Sequence, residues 1–125
     1  MATIQNLNFN PTSISGCALW LDAQDPLGTG ATPTNGQTIS SWVDKSGVGN
    51  NGTAIGTTPT YTLATRGVTF GGAGYYTTNF SASLTSETSF VVFNCPTLTN
   101  FQQLLASSSG GRQVFLVQGE IYLSK

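Results

Sequence analysis

The sequence contains no histidine and very little charge: four residues are Lys or Arg and five are Asp or Glu, for a formal net charge of −1. Each shortage removes a class of function. With no histidine, nothing is at hand to activate a thiol or to complete a zinc site in the usual way. With no basic run, the electrostatic footprint of a nucleic-acid binder is missing, and nucleic acid is not an expected partner. No apolar run exceeds five residues, the longest being Cys17 to Leu21, so no membrane helix and no membrane insertion are expected. Met1-Ala2-Thr3-Ile4-Gln5-Asn6 has neither a positive region nor an apolar core, and it reads as lacking a secretory signal peptide. The patterns Asn51-Gly52-Thr53 and Asn79-Phe80-Ser81 then read as chance matches to a glycosylation acceptor. Cysteine is limited to Cys17 and Cys95, which are expected as free, buried thiols. Gly71-Gly72-Ala73-Gly74 lacks the Lys-Ser/Thr and the helix of a phosphate loop, and no cofactor is expected.

What is present points to strands. Ser and Thr are abundant, 15 residues are Gly, and two Trp, four Tyr and seven Phe supply the bulky side chains. Polar, uncharged, Thr-rich and aromatic chains suit pleated sheets with one wet face. A disordered chain would carry more charge and fewer aromatics. A net charge near zero also favours association over repulsion between copies.

The chain reads as a polar extended arm over residues 1–15 and one β-domain over 16–125. Short strands are expected at Ala18 to Asp22, Thr38 to Val43, Thr60 to Leu63, Gly67 to Phe70, Tyr75 to Thr78 and Ser89 to Asn94. Gln103 to Ser107 reads as a strand or a helical turn. Ser89 to Asn94, apolar on both faces, is the strongest of these and is expected to be central. Arg112 to Gln118 and Glu120 to Ser124 flank Gly119 as a tight hairpin. Between these segments lie Gly, Pro, Asn and Ser, as in Asp44 to Gly52 (DKSGVGNNG), and no amphipathic helix is found. The expectation is an all-β, antiparallel sandwich or jelly roll. Its core is expected to hold Leu19, Leu21, Trp42, Phe70, Phe90, Val92 and Leu116.

Three segments carry a family resemblance. Ile14-Ser15-Gly16-Cys17-Ala18-Leu19-Trp20-Leu21-Asp22-Ala23, Ser41-Trp42-Val43-Asp44-Lys45-Ser46-Gly47 with Gly49-Asn50-Asn51, and Gly67-Val68-Thr69-Phe70-Gly71-Gly72 resemble successive motifs of concanavalin A-like, laminin G-like domains. The resemblance implies a two-sheet jelly roll, incomplete at its C-terminal side. It is similar to domains that bind sugars, decorate surfaces or form structural parts of phages and large DNA viruses. Gly71 stands where the family's strand carries Asp.

Candidate sites follow from chemistry. Asp44, Ser46, Gly47, Asn50 and Asn51 form the densest polar cluster and read either as a ligand or calcium loop or as a self-bonded turn. A single carboxylate is little charge for calcium, which takes roughly 6–8 oxygens. Trp20 and Trp42 read as core or as sugar platforms. Alternation puts one ring of Tyr75 and Tyr76 inward and the other outward, where it would meet a ligand. The carboxylates Asp22, Asp25, Asp44, Glu87 and Glu120 form no strand-borne cluster of the kind a jelly-roll glycosidase uses, so no catalytic residue is expected. The leading expectation is a non-enzymatic structural module of a virion or other extracellular, surface assembly. Its partners would be other protein subunits, reached through the edge strand 120–124. A carbohydrate-binding module is the alternative, with glycans as ligands, and a glycoside hydrolase the third reading.

Overall fold

The computed structural model describes residues 10–80, 88–95, 102–106, 113–117 and 120–124. The fold there is all-β and antiparallel: eight strands and a single 3-10 turn at Pro11–Ser13 are found among the described residues. Asn10 caps that turn, its side chain accepting from the Thr12 N–H, so the polar arm is not extended throughout. No helix of the described residues is long and apolar enough to cross a membrane. The chain divides into two compact units, Met1–Ser83 and Leu84–Lys125.

The first unit holds β1 (Ser41–Trp42), β2 (Gly52–Ile55), β3 (Thr60–Thr62), β4 (Gly67–Thr69) and β5 (Tyr75–Thr78). These make a three-stranded sheet in the order β1-β2-β5 and a two-stranded sheet, β3-β4. The segment before β1 joins the two sheets. Its Thr38 bridges Thr60, the Ile39 N–H donates to the Pro59 carbonyl at 2.9 Å, and the Tyr61 N–H donates to the Gln37 carbonyl at 2.8 Å. The stretch 37–42 thus serves β3 with its first half and β2 with its second, which puts Ile39 at the junction. Ile39, Tyr61 and Pro59 are fully buried there, and so is Pro26, whose carbonyl accepts from the Val43 N–H just after β1.

Register explains the packing of the larger sheet. Trp42 pairs with Gly52 and Gly52 with Thr78, while Ala54 pairs with Tyr76. A glycine in a strand marks a close approach. A Cβ on Gly52 would lie 3.2 Å from Tyr76 Cδ1 and 3.4 Å from Trp42 Cβ. The missing side chain lets the Trp42 and Tyr76 rings meet edge to face at 5.4 Å, and Phe70 meets Tyr76 the same way at 5.7 Å. The opposite face carries Ser41, Thr53, Thr77, Ile55 and Tyr75, all exposed.

The second unit holds β6 (Gln102–Ala106), β7 (Gln113–Val117) and β8 (Glu120–Ser124) in the order β6-β7-β8. Val117 pairs with Glu120, so two residues separate the strands of the expected hairpin. The β6–β7 ladder shifts register between Gln103 and Leu105.

Several expectations need correction. Ser89 to Asn94 belongs to no strand. Phe90 is 85% exposed and Val92 101%. An apolar strand is central only if sheets cover both its faces, and nothing among the described residues does so. Phe70 follows the last residue of β4 and rests on the edge of Tyr76, leaving it 47% exposed. Leu19, Leu21 and Trp42 are half-buried. The expected strand at Ala18 to Asp22 reduces to one bridge, Leu21 to Asp44. The Leu116 side chain lies outside the described residues. Cys17 is half-buried, and no disulfide joins it to Cys95.

Tyr61 offers a direct stability test. Its ring is fully buried, and no hydrogen-bond partner for its hydroxyl occurs among the described residues. Removing a buried, unsatisfied hydroxyl relieves its desolvation cost, so Tyr61→Phe is expected to raise stability by about 1 kcal/mol in urea unfolding. A loss of stability would show that the hydroxyl has a partner.

Candidate functional site

The polar cluster around Asp44 forms one self-bonded loop. The Leu21–Asp44 bridge brings the Trp20 segment alongside, and the Asp44 carboxylate closes the turn that follows. Its Oδ1 accepts from the backbone N–H groups of Trp20 and Ser46, both at 2.9 Å. Its Oδ2 accepts from Ser46 Oγ at 2.7 Å, Asn50 N–H at 2.9 Å and Gly49 N–H at 3.2 Å. Asn51 Oδ1 accepts from the Asp44 N–H at 2.8 Å, and Asn50 Nδ2 donates to the Ala18 carbonyl at 2.9 Å. Gly47 and Gly49 take φ of +90° and +89°, which lets the loop curl around the carboxylate. Asp44, Ser46, Asn50 and Asn51 are therefore brought together, with both Asp44 oxygens engaged by the chain itself. Asp44 is 7% exposed. Burial is the largest influence on its carboxyl and pushes the pKa up. The donors from Trp20, Ser46 and Asn50 together outweigh it and hold the value below the usual carboxylate range.

A second network lies beside this loop. Lys45 Nζ donates to Asp22 Oδ2 at 2.9 Å and to Asp25 Oδ2 at 3.1 Å, and it sits 4.9 Å from the centre of the Trp20 ring. Asp25 also accepts from the Thr29 and Gly30 N–H groups, while Trp42 Nε1 donates to the Asp22 carbonyl at 3.1 Å. The hydrogen bond to Asp22 is the main cause of a raised Lys45 pKa. Burial pushes the Asp25 carboxyl up, but Lys45 and the two backbone donors leave it below its ordinary value. Sequence spacing pointed to none of this, because Asp22 and Lys45 meet only through the Leu21–Asp44 bridge. That bridge sets Lys45 opposite Trp20, and the Lys45 N–H donates to the Trp20 carbonyl. The Trp42 indole hydrogen bond is open to test: Trp42→Phe is expected to cost about 1 kcal/mol. A cost near zero in urea unfolding would show the bond is not made.

The two adjacent tyrosines separate as alternation requires. Tyr75 points outward and is 54% exposed. Tyr76 points inward between Trp42 and Phe70, and its hydroxyl donates to the Ile39 carbonyl. Burial pushes the Tyr76 hydroxyl up to about 12. Tyr75 does not join the Asp44 loop; it shares a row with Ile55 across the β2–β5 ladder.

These shifts set the pH dependence of stability. Asp44 and Asp25 have lowered folded-state values, so their contribution is complete above about pH 4 and is lost as pH falls through those values. Tyr76 and Lys45 have raised values, so their contribution is complete below about pH 10. It is lost at higher pH, for Tyr76 by about pH 12. Urea midpoints measured across pH are expected to form a plateau with an acid and an alkaline limb. A midpoint that holds steady down to about pH 2 would contradict the Asp44 geometry.

The chain matches no protein-family model, no curated protein and no solved structure.

Proposed function

We propose that the chain is a non-enzymatic structural module of a protein assembly, folded as a laminin G-like two-sheet jelly roll and set in a virion or another surface assembly. The observation that carries this reading is the bare apolar run Phe90-Val91-Val92-Phe93, in which all four side chains are exposed. Contiguous exposed apolar surface of this kind is characteristic of interaction sites. The edge strand β8 adds a second surface, pairing with β7 alone among the described residues. An open edge takes an added strand through main-chain hydrogen bonds. The site chemistry fits the same reading. Asp22 and Asp25 are both held on Lys45, and the lowered Asp25 value is the wrong direction for a general acid.

The test is the mass of the purified chain by light scattering across concentration. Self-association, or stable capture by subunits of its native assembly, is the expected result. A chain that remains monomeric and binds no such subunit would overturn the reading.

One observation favours carbohydrate binding as a second reading. Tyr75 stands exposed on a sheet face lined by the hydroxyls of Ser41, Thr53 and Thr77 and free of charge. Titration with neutral oligosaccharides, with Tyr75→Ala as the control, would register that function as binding lost in the variant.

A further inference from the structure

We propose that residues 89–94 form a self-pairing strand through which two copies of this chain join across a two-fold axis centred on Val91. The proposal rests on the assembly reading above and names the surface and the partner. Ser89-Phe90-Val91-Val92-Phe93-Asn94 has strong strand propensity, no charge and no proline, yet it belongs to no strand. Val91 and Phe93 are 42% and 43% exposed, and Phe90 and Val92 are barer still. Ladder hydrogen bonds and apolar burial are therefore both available to an incoming strand.

A second copy suits the segment for reasons of charge and symmetry. A strand without charge offers no handle to a charged partner and brings no like charges together when it meets itself. The chain's net charge of −1 adds little repulsion between copies. A two-fold contact is isologous: if one residue meets another, the reverse contact follows. In an antiparallel pair whose axis stands perpendicular to the sheet, opposed residues lie on the same face, so their numbers sum to an even value. Centring on Val91 sets Val91 against its own copy, Phe90 against Val92 of the second copy, and Val92 against Phe90 of the second copy. One face then carries two aromatic–β-branched pairs, which rank among the favourable cross-strand combinations. The other face carries the two Val91 side chains flanked by Phe93.

The experiment uses the full chain, with mass measured by sedimentation across concentration and unfolding followed in parallel. The wild type is expected to dimerise. Val92→Lys is expected to weaken dimerisation at least about tenfold with an unchanged monomer unfolding midpoint, since the native side chain already faces solvent. Ala64→Lys, on the exposed turn between β3 and β4 in the first unit, is expected to dimerise as the wild type does. Phe90→Lys and Val92→Glu are each expected to be defective alone and to form a mixed dimer when combined, because the pairing opposes those two positions. A wild-type dimer unaffected by Val92→Lys overturns this inference and leaves the assembly reading standing. Failure of the mixed pair to associate overturns the Val91-centred register. A wild type that is monomeric throughout and captures no native-assembly subunit overturns both readings.

Discussion

Asp44→Ala is expected to lower the stability of the chain by about 4 kcal/mol, a large share of what a domain of this size holds in total. The reason is the number of donors aimed at one carboxylate. Backbone N–H groups of Trp20, Ser46, Gly49 and Asn50 and the Ser46 hydroxyl all point at its two oxygens. Hydrogen bonds to a charged acceptor are worth roughly 1.5–3 kcal/mol each, although neighbouring bonds do not add in full. Truncation leaves part-buried donors facing a void, and it releases the Trp20 segment from the loop that follows β1. Asp44→Asn separates charge from size. The side chain keeps its volume, but its amide nitrogen turns a donor toward donors, so its cost is expected to approach that of alanine. Ser46→Ala removes only one of the five contacts and is expected to cost about 1 kcal/mol. Urea unfolding of the three variants decides the matter. A loss under about 1 kcal/mol for Asp44→Ala would mean that water replaces the carboxylate freely and that the loop is not held by it.

The parts of the fold legible in the sequence were those set by local pattern. Tyr75 to Thr78 emerges as β5 with those bounds, because two aromatic and two β-branched residues, all good strand formers, follow directly on a glycine-rich stretch. β3, β4 and the β7–β8 hairpin lie within a residue or so of their expected positions for the same reason. The Asp44 loop was legible as a dense polar cluster, and a self-bonded turn was one of its two readings. β2 was not legible. Gly52-Thr53-Ala54-Ile55 holds one large aliphatic residue, and the strand is central through its backbone ladder to β1 and β5. Its glycine, a turn signal in sequence, is what allows two rings to pack across it. The opposite error occurred at Ala18 to Asp22 and Ser89 to Asn94. Apolar content there suggests strand pairing, but a run of apolar residues states only that cover is needed, not which surface supplies it. The Lys45 network was illegible for a third reason. It joins side chains some 20 residues apart, and no local pattern encodes the bridge that aligns them.

Gly74→Ala is expected to cost roughly 3 kcal/mol, through a backbone clash that no side-chain movement relieves. The β2–β5 ladder ends at the Ile55–Tyr75 pair, and the next residues on either strand are Gly56 and Gly74. Beyond that pair the two backbones run closer than side chains allow. A Cβ on Gly74 would fall well inside contact distance of the Thr57 carbonyl oxygen and 3.1 Å from the Thr57 carbonyl carbon. A Cβ on Gly56 would lie 2.5 Å from the Ala73 carbonyl oxygen, at a φ of +74° that already disfavours any other residue. The two glycines thus fail for different reasons, and Gly74 isolates the steric one. Gly30 supplies the complementary control: its φ is also +74°, but nothing lies within 4 Å of an added Cβ. Gly30→Ala is expected to cost about 1 kcal/mol from conformation alone. Accommodating an alanine at position 74 requires the end of the ladder to open. Hydrogen exchange should then show faster exchange of the β2 and β5 amides nearest Ile55 and Tyr75, with Gly30→Ala leaving them unchanged. If Gly74→Ala costs no more than Gly30→Ala and leaves those amides protected, the connection has room that the close approach of Gly74 to Thr57 denies.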